Sequence, residues 1–233
     1  MIQVLKMNIA GLLDPAIRQR ACAFLNEERM SHALSFHKDR TRAQSIGAWL
    51  LLEHALLTLK LSEKFKNTVC SAAPSGVTEV SLNELMAELE ALTEEEKQRL
   101  LTLTRVRKGE HGKPYLKDRD DLFFNLSHSG DYVLCAVSDR EVGADIQKRH
   151  DRDVTGILRK ILNSREQTDD FFLLFSAKEA FVKCMGDGLS RDFSHLLVEP
   201  LKKKVTDTVT GESLSLLQFR DDGEYVITVC SRE

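Results

Sequence analysis

A carboxylate and an ammonium, Glu179 and Lys183, lie four residues apart in the stretch FSAKEAFVKCMGDGL, Phe175 to Leu189. On a helix that spacing puts them on one face, one turn apart. Such a pair is either a surface ion pair, worth little by itself, or an acid–base couple facing a substrate. Upstream, VGADIQ carries Asp145 and Gln147 two apart near the end of a strand-like run, so both point to one side. An acid beside an amide can offer oxygens to a hard cation, or can simply wet a strand end. In NLSHSG, the residues Ser127, His128 and Ser129 can all donate to phosphate oxygens. The same stretch also reads as a polar hairpin turn. A Ser–His–Asp hydrolase is disfavoured, because adjacent serine and histidine on a strand point opposite ways and no GxSxG elbow is present. In GKPY, Lys113 precedes Pro114 and is therefore held extended, as a phosphate ligand or a solvated turn residue. FHKDRTR gathers Lys38, Arg40 and Arg42 ahead of an apolar run, as an anion site or a charged helix start.

The elements that must hold these groups follow from periodicity and punctuation. Residues 2–9 alternate weakly and read as a strand. Pro15 opens a helical stretch through AIRQRACAFL, and a second helix follows Asp39. Residues 67–80 are small and polar and read as loop or weak strand. SLNE and TEEE resemble capping boxes ahead of two short helices, about residues 82–91 and 94–103. RVRKGEHGKPYLKDRDD reads as a linker ending in a short extended piece. FFNLSHS, YVLCAVS and EVGADIQ then form three strand-like runs, of which the apolar middle one is expected to be central. HDRDVTGILRKIL returns to helix, and a long helix runs from Thr168 to Met185, stopped by Gly186 and Gly188. The tail is rich in strands. The class is α+β, with one lobe over residues 1–104 and a second, carrying most of the motifs, over residues 105–233.

Composition bounds the function. At 233 residues the chain can bury a substantial core, and its formal charge of −3 argues against a dedicated nucleic-acid binder. Its five cysteines form no CxxC pair, so neither a zinc framework nor a disulfide framework is expected. The start, MIQVLKMNIAGLLD, is not expected to be a signal peptide, and no run is long enough to span a membrane. A cytoplasmic location is the expectation.

Taken in order, GKPY, FNLSHSG, VGADI and FSAKEAFVKCMGDGL resemble the motifs of the Sfp-type 4'-phosphopantetheinyl transferases. That family carries (V/I)G(V/I)D followed by a (W/F)(S/C)xKE(A/S)xxK helix. The second motif is met by Phe175, Ser176, Lys178, Glu179, Ala180 and Lys183, and the first with Ala144 at a usually branched position. The resemblance covers about residues 112–190 and weakens over the N-terminal lobe.

The resemblance implies two pseudo-symmetric α+β lobes in a monomer, with coenzyme A between them. It implies transfer of the phosphopantetheine arm to a serine of an acyl or peptidyl carrier protein, Mg2+-dependent, with release of 3',5'-ADP. The pathway would be fatty acid, polyketide or nonribosomal peptide synthesis. An alternative is a coenzyme A-binding module of the same fold with little or no turnover. By the match, Asp145 and Glu179 hold Mg2+, Glu179 is the base, and Lys183 neutralises phosphate charge. Lys113, Ser127 and His128 bind the phosphates of coenzyme A, and one or two of Lys38, Arg40 and Arg42 reach the 3'-phosphate. Lys178 points away from Glu179. Family members commonly have D-x-E where this chain has Asp145 and Gln147, which leaves one fewer negative ligand. An acidic carrier would meet basic and apolar residues, for which Arg159, Lys160, Arg165, Met185 and Leu189 are candidates, or these residues form a solvated helix face and helix-end packing.

Overall fold

The chain opens with the expected strand, β1 (Ile2–Asn8), followed by α1 (Pro15–Cys22), α2 (Glu27–Leu34) and α3 (Asp39–Leu61). The structure is a computed structural model that describes residues 2–61, 76–221 and 223–232. Helix α2 was not separable by apolar period. Its start is marked instead by Asn26, whose side-chain oxygen takes the Arg29 N–H at 3.0 Å, with Glu27 and Glu28 in the first turn. Within the segment read as loop or weak strand, residues 67–75 lie outside the described residues, and Thr78–Glu79 forms the short strand β2. Helices α4 (Leu82–Glu90) and α5 (Glu94–Leu103) stand where expected. Thr93 and Glu96 make a full capping box, whereas the Ser81 side chain makes no cap bond. The expected linker contains a small hairpin, β3 (Val106–Lys108) with β4 (Pro114–Leu116).

Next come β5 (Phe123–Ser129), β6 (Tyr132–Ser138), β7 (Val142–Lys148), α6 (Thr155–Ile161) and α7 (Phe171–Met185). The tail forms β8 (Leu196–Glu199), β9 (Lys204–Asp207), β10 (Ser213–Asp221) and β11 (Tyr225–Ser231). The first sheet has the order β2-β1-β6-β5 and the second β7-β11-β10-β9-β8. The apolar β6 is central, flanked by β1 and β5 in antiparallel register. This is the expected α+β class.

Each sheet has a long helix on one face. Ile46, Leu50 and Leu51 of α3 share a core with Met7, Val133 and Cys135 of the first sheet. Ala177, Ala180 and Phe181 of α7 share one with Leu216, Val226 and Cys230 of the second. A third cluster joins the sheets, with Val4, Leu134 and Ala136 against Ala144, Ile146 and Ile227. The sheets do not part at residue 105. Strands β5 and β6 lie beyond it, yet they pair with the first sheet, because β6 zips along the whole of β1 from Ile2↔Ser138 to Asn8↔Tyr132. The chain changes sheets between β6 and β7. Among the described residues no helix is long and apolar enough to cross a membrane.

Two features of this packing can be tested directly. Gly143 lets α7 lie against β7, since a Cβ there would sit 2.1 Å from the Ala180 carbonyl oxygen and 2.3 Å from the Cys184 nitrogen. Both are helix backbone and cannot swing aside. Gly143→Ala is therefore expected to lower stability by about 1–3 kcal/mol or more in chemical denaturation. A variant as stable as the parent would refute this account of the contact.

Glu53, on α3, is fully buried, and its Oε2 has no hydrogen-bond partner among the described residues. Burial holds its pKa well above the ordinary carboxylate range. The folded state thus binds this proton more tightly than the unfolded state. Stability from this group is present below the unfolded pKa, roughly 4.3, and declines as pH rises above it. Glu53→Met is expected to raise stability at pH 7 by about 1–3 kcal/mol, with little gain at pH 4. Equal effects at both pH values would show that Glu53 is not the titrating group.

Candidate active site

Strand β7 lies at the edge of its sheet, bonded on one side to β11. Its other edge meets β5, the edge strand of the first sheet. No backbone ladder joins them. Instead Asn125 Oδ1 accepts the Ala144 N–H (3.0 Å), Ser127 Oγ the Ile146 N–H (3.3 Å) and Ser129 Oγ the Lys148 N–H (2.9 Å). Each bond spans nineteen residues, so β5 and β7 run parallel with side chains standing in for carbonyls. Two carbonyls of this edge are taken by ammonium groups, Val142 by Lys113 (3.3 Å) and Ala144 by Lys183 (3.4 Å).

Asp145 sits at this seam, 2% exposed. Its Oδ1 accepts Ser127 Oγ–H at 2.9 Å and Lys183 Nζ–H at 2.6 Å, and its Oδ2 accepts Gln147 Nε2–H at 2.9 Å. Lys183 also donates to Ser127 Oγ at 3.0 Å. The serine hydroxyl is thereby saturated, with one proton given and two accepted. Glu179, one turn before Lys183, is half-buried. Burial raises its carboxyl pKa, the Lys183 ammonium pulls it back down, and the Asp145 carboxylate pushes it up again. Those influences place all three groups within one electrostatic neighbourhood. Glu179 and Lys183 line a cavity of about 330 Å³ with Asn125, Leu126, Lys113 and Gly186.

Among the described residues no cluster of three or more His, Cys, Asp or Glu side chains is arranged to hold a metal. The available donors are the carboxylates of Asp145 and Glu179 and the amide oxygen of Gln147. That set is too small for an all-protein cage. It fits Mg2+, which commonly takes one or two carboxylates and completes its shell with water and substrate phosphates.

The other residues singled out by sequence fall in different places. His128 keeps an exposed surface. The protein packed around its imidazole lowers its pKa, Lys183 lowers it further, and Asp145 opposes both. Lys113 is buried, and its ammonium bonds to the Cys184 carbonyl at the end of α7 (2.6 Å) and to the Glu141 carboxylate. Burial and Glu141 together push the neighbouring Tyr115 hydroxyl up to about 12. Arg40 reaches the β5–β6 turn, at the Gly130 carbonyl (3.2 Å) and the Asp131 carboxylate. Arg42 folds back on its own segment, donating to the Phe36 carbonyl at 2.6 Å, and Lys38 is exposed.

Lys178, from the same motif as Lys183, is fully buried and donates to the Ile161 carbonyl (2.6 Å), Glu166 (2.8 Å) and the Phe193 carbonyl (3.0 Å). All three of its protons are satisfied, and burial lowers its pKa. Its role is to fasten α6 and the chain after α7, away from the cavity. Ser176 bonds to Thr228 of β11 and is likewise buried. Arg159, Lys160 and Arg165 are exposed around α6, Met185 is half-buried, and the side chain of Leu189 lies outside what the structure describes. Sequence reasoning assigned nothing to Asn125, Glu141 or Glu166. The polar residues at 125, 127 and 129 do alternate with period two, a pattern that marks one face of a strand.

Residues 141–230 match the family model of the 4'-phosphopantetheinyl transferase superfamily. The chain is 32% identical over 136 residues to a 4'-phosphopantetheinyl transferase of Bacillus subtilis, covering 52% of this chain and 60% of the relative. It is 39% identical over 93 residues to the 4'-phosphopantetheinyl transferase Sfp of Bacillus subtilis strain 168, covering 35% of this chain and 41% of the relative. It is 31% identical over 138 residues to the 4'-phosphopantetheinyl transferase HetI of a Nostoc species, covering 51% of this chain and 56% of the relative. The matches thus span between about two fifths and three fifths of these relatives. The family match takes in the β7–α7 unit that carries Asp145, Glu179 and Lys183, so over residues 141–230 the chain is similar to the 4'-phosphopantetheinyl transferase superfamily.

Proposed function

We propose that this chain transfers the 4'-phosphopantetheine arm of coenzyme A to a serine hydroxyl of an apo acyl or peptidyl carrier protein. The observation that carries this reading is Lys183, which bonds to Asp145 and Ser127 and lines one cavity with Glu179. The serine oxygen would bond to the phosphorus that bears the pantetheine arm. The bond from that phosphorus to the bridging pyrophosphate oxygen breaks, and 3',5'-ADP leaves. Glu179 is the base for the serine proton, directly or through water, and its raised pKa suits it to that task. Lys183 sits where it can hold negative charge developing on the phosphates. Asp145 and Glu179, with the Gln147 oxygen, would hold Mg2+, which when bound offsets the charge of the pyrophosphate. Arg40 and the exposed His128 are the proposed phosphate-binding groups at the open end of β5, while Lys113 supports the end of α7. The proposed enzyme is a monomer of two lobes that divide between β6 and β7, acting in the cytoplasm in fatty acid, polyketide or nonribosomal peptide synthesis.

The deciding experiment incubates the chain with coenzyme A, Mg2+ and an apo carrier protein, then reads intact mass for the added arm. Glu179→Ala is expected to cut transfer by roughly 10²- to 10⁴-fold with an unchanged melting curve. Full activity in that variant would remove Glu179 as the base. The second reading, a coenzyme A-binding module without turnover, is favoured by Gln147, which supplies no charge where the family commonly has a glutamate. Binding of coenzyme A with no modification of any carrier would select it. The same position generates a separate expectation. Gln147→Glu should lower the Mg2+ concentration for half-maximal transfer by roughly tenfold, and should tighten Mn2+ binding seen by electron paramagnetic resonance. An unchanged or higher requirement would exclude Gln147 from the metal environment.

A further inference from the structure

We propose that Asn125 is a positioning residue for Asp145, acting through the Ala144 amide. The proposal rests on the transferase reading for its kinetic consequence, though not for its structural content. Strand β7 has one side committed to β11, where Asp145 is paired with Thr228. On its other side the N–H groups of Ala144 and Ile146 bracket Asp145, and both are buried, so each needs an acceptor. Ser127 holds the second. Asn125 holds the first, at 3.0 Å and only 6% exposed. Without Asn125, the Ala144 N–H would lose its acceptor on this edge beside the cavity.

Three further observations converge on that rung. The Ala144 carbonyl, on the same edge, accepts from Lys183 at 3.4 Å, so a shift of residue 144 moves an anchor of the lysine as well. The backbone of α7 presses on Gly143, so β7 has no freedom on its helical face. Asn125 lines the cavity together with Glu179 and Lys183. The rung thus controls how far Asp145 and Lys183 stand from the groups across the cavity. A displacement of about 1 Å in such a constellation can cost on the order of 10²-fold in rate.

The test compares Asn125→Leu, which keeps the size and loses the acceptor, with Asn125→Asp, which keeps both. Amide hydrogen exchange is read at Ala144 by NMR, with Leu51 in the α3 core as a control for global opening. In Asn125→Leu, exchange at Ala144 should quicken by at least roughly tenfold while Leu51 is unaffected. Its kcat should fall by roughly 10- to 100-fold, with KM for coenzyme A within about threefold of the parent. Asn125→Asp should restore the slow exchange, whereas its added carboxylate beside Glu179 bars it from serving as a control for kcat. If Asn125→Leu does not fold, Asn125→Ala makes the same comparison with less steric change. An unchanged kcat in Asn125→Leu, or fast exchange at Ala144 that Asn125→Asp does not slow, overturns the proposal. A loss confined to KM would make Asn125 a ligand contact and overturns it equally. An inactive parent with a slowly exchanging Ala144 amide would sink the transferase reading and leave the seam intact.

Discussion

The open edge of β7 is the constraint on which the rest of the molecule turns. An edge strand inside a protein has backbone groups that must find partners. A neighbouring strand would supply them, but it would also cover the edge and bury whatever projects there. Here the partners are side chains, Asn125, Ser127 and Ser129 for the N–H groups and Lys113 and Lys183 for carbonyls. A side chain is longer than a backbone carbonyl, so the two strands stand apart. The gap is polar and can lie next to a cavity. The carboxylate of Asp145 sits in a backbone frame satisfied on both sides, which is how a rigid element holds a reactive group better than a loop does.

The two lysines of α7 show how one helix divides support from chemistry. They are five residues apart and so project in different directions. Lys178 is sealed in, with three oxygens for its three protons. Removing a charge so deeply from water is costly, and only complete hydrogen bonding makes it tolerable. Its acceptors come from α6, from Glu166 and from the turn after α7, so the ammonium fixes the relative positions of all three. Lys183 retains 28% exposure of its side chain and is shared between Asp145 and Ser127. A cation held by a carboxylate and a hydroxyl, yet open to a cavity, can be recruited by an incoming anion.

Much of this was legible in the sequence, for reasons that differ by residue. Helix α7 and strands β5 to β7 announce themselves by period, and the glycine stop at Gly186 lies in the left-handed region, φ 80°. Asp145, Glu179 and Lys183 were readable because motif order placed them together, although spacing alone favoured a surface pair. What could not be read was which partner each polar group would choose. Ser127 seemed a free phosphate donor on its strand and proves to be saturated at the seam. Lys113 reads in sequence as a phosphate ligand or a solvated turn lysine, and it is buried under the end of α7. Such outcomes depend on contacts across β1–β6 pairing and the β5–β7 junction, which have no local signal. The point at which the chain changes sheets has no local signal for the same reason, since β6 precedes β7 in sequence but pairs back to β1.

The charges at the seam bear on the order in which a reaction of the proposed kind could assemble. Lys183 pairs with Asp145, and Gln147 adds no charge, so among the described residues Glu179 is the carboxylate that lines the cavity without a direct ion-pair partner. Burial and the Asp145 carboxylate raise its pKa while the Lys183 ammonium opposes them, so a pyrophosphate brought beside it would favour its protonation unless a cation came with it. A protonated Glu179 is no base. On the proposed reading, Asp145 and Glu179 would hold the cation and Lys183 would hold the phosphates, and Gln147 would add an oxygen but no charge to that set, which leaves the phosphates to supply the remaining negative ligands.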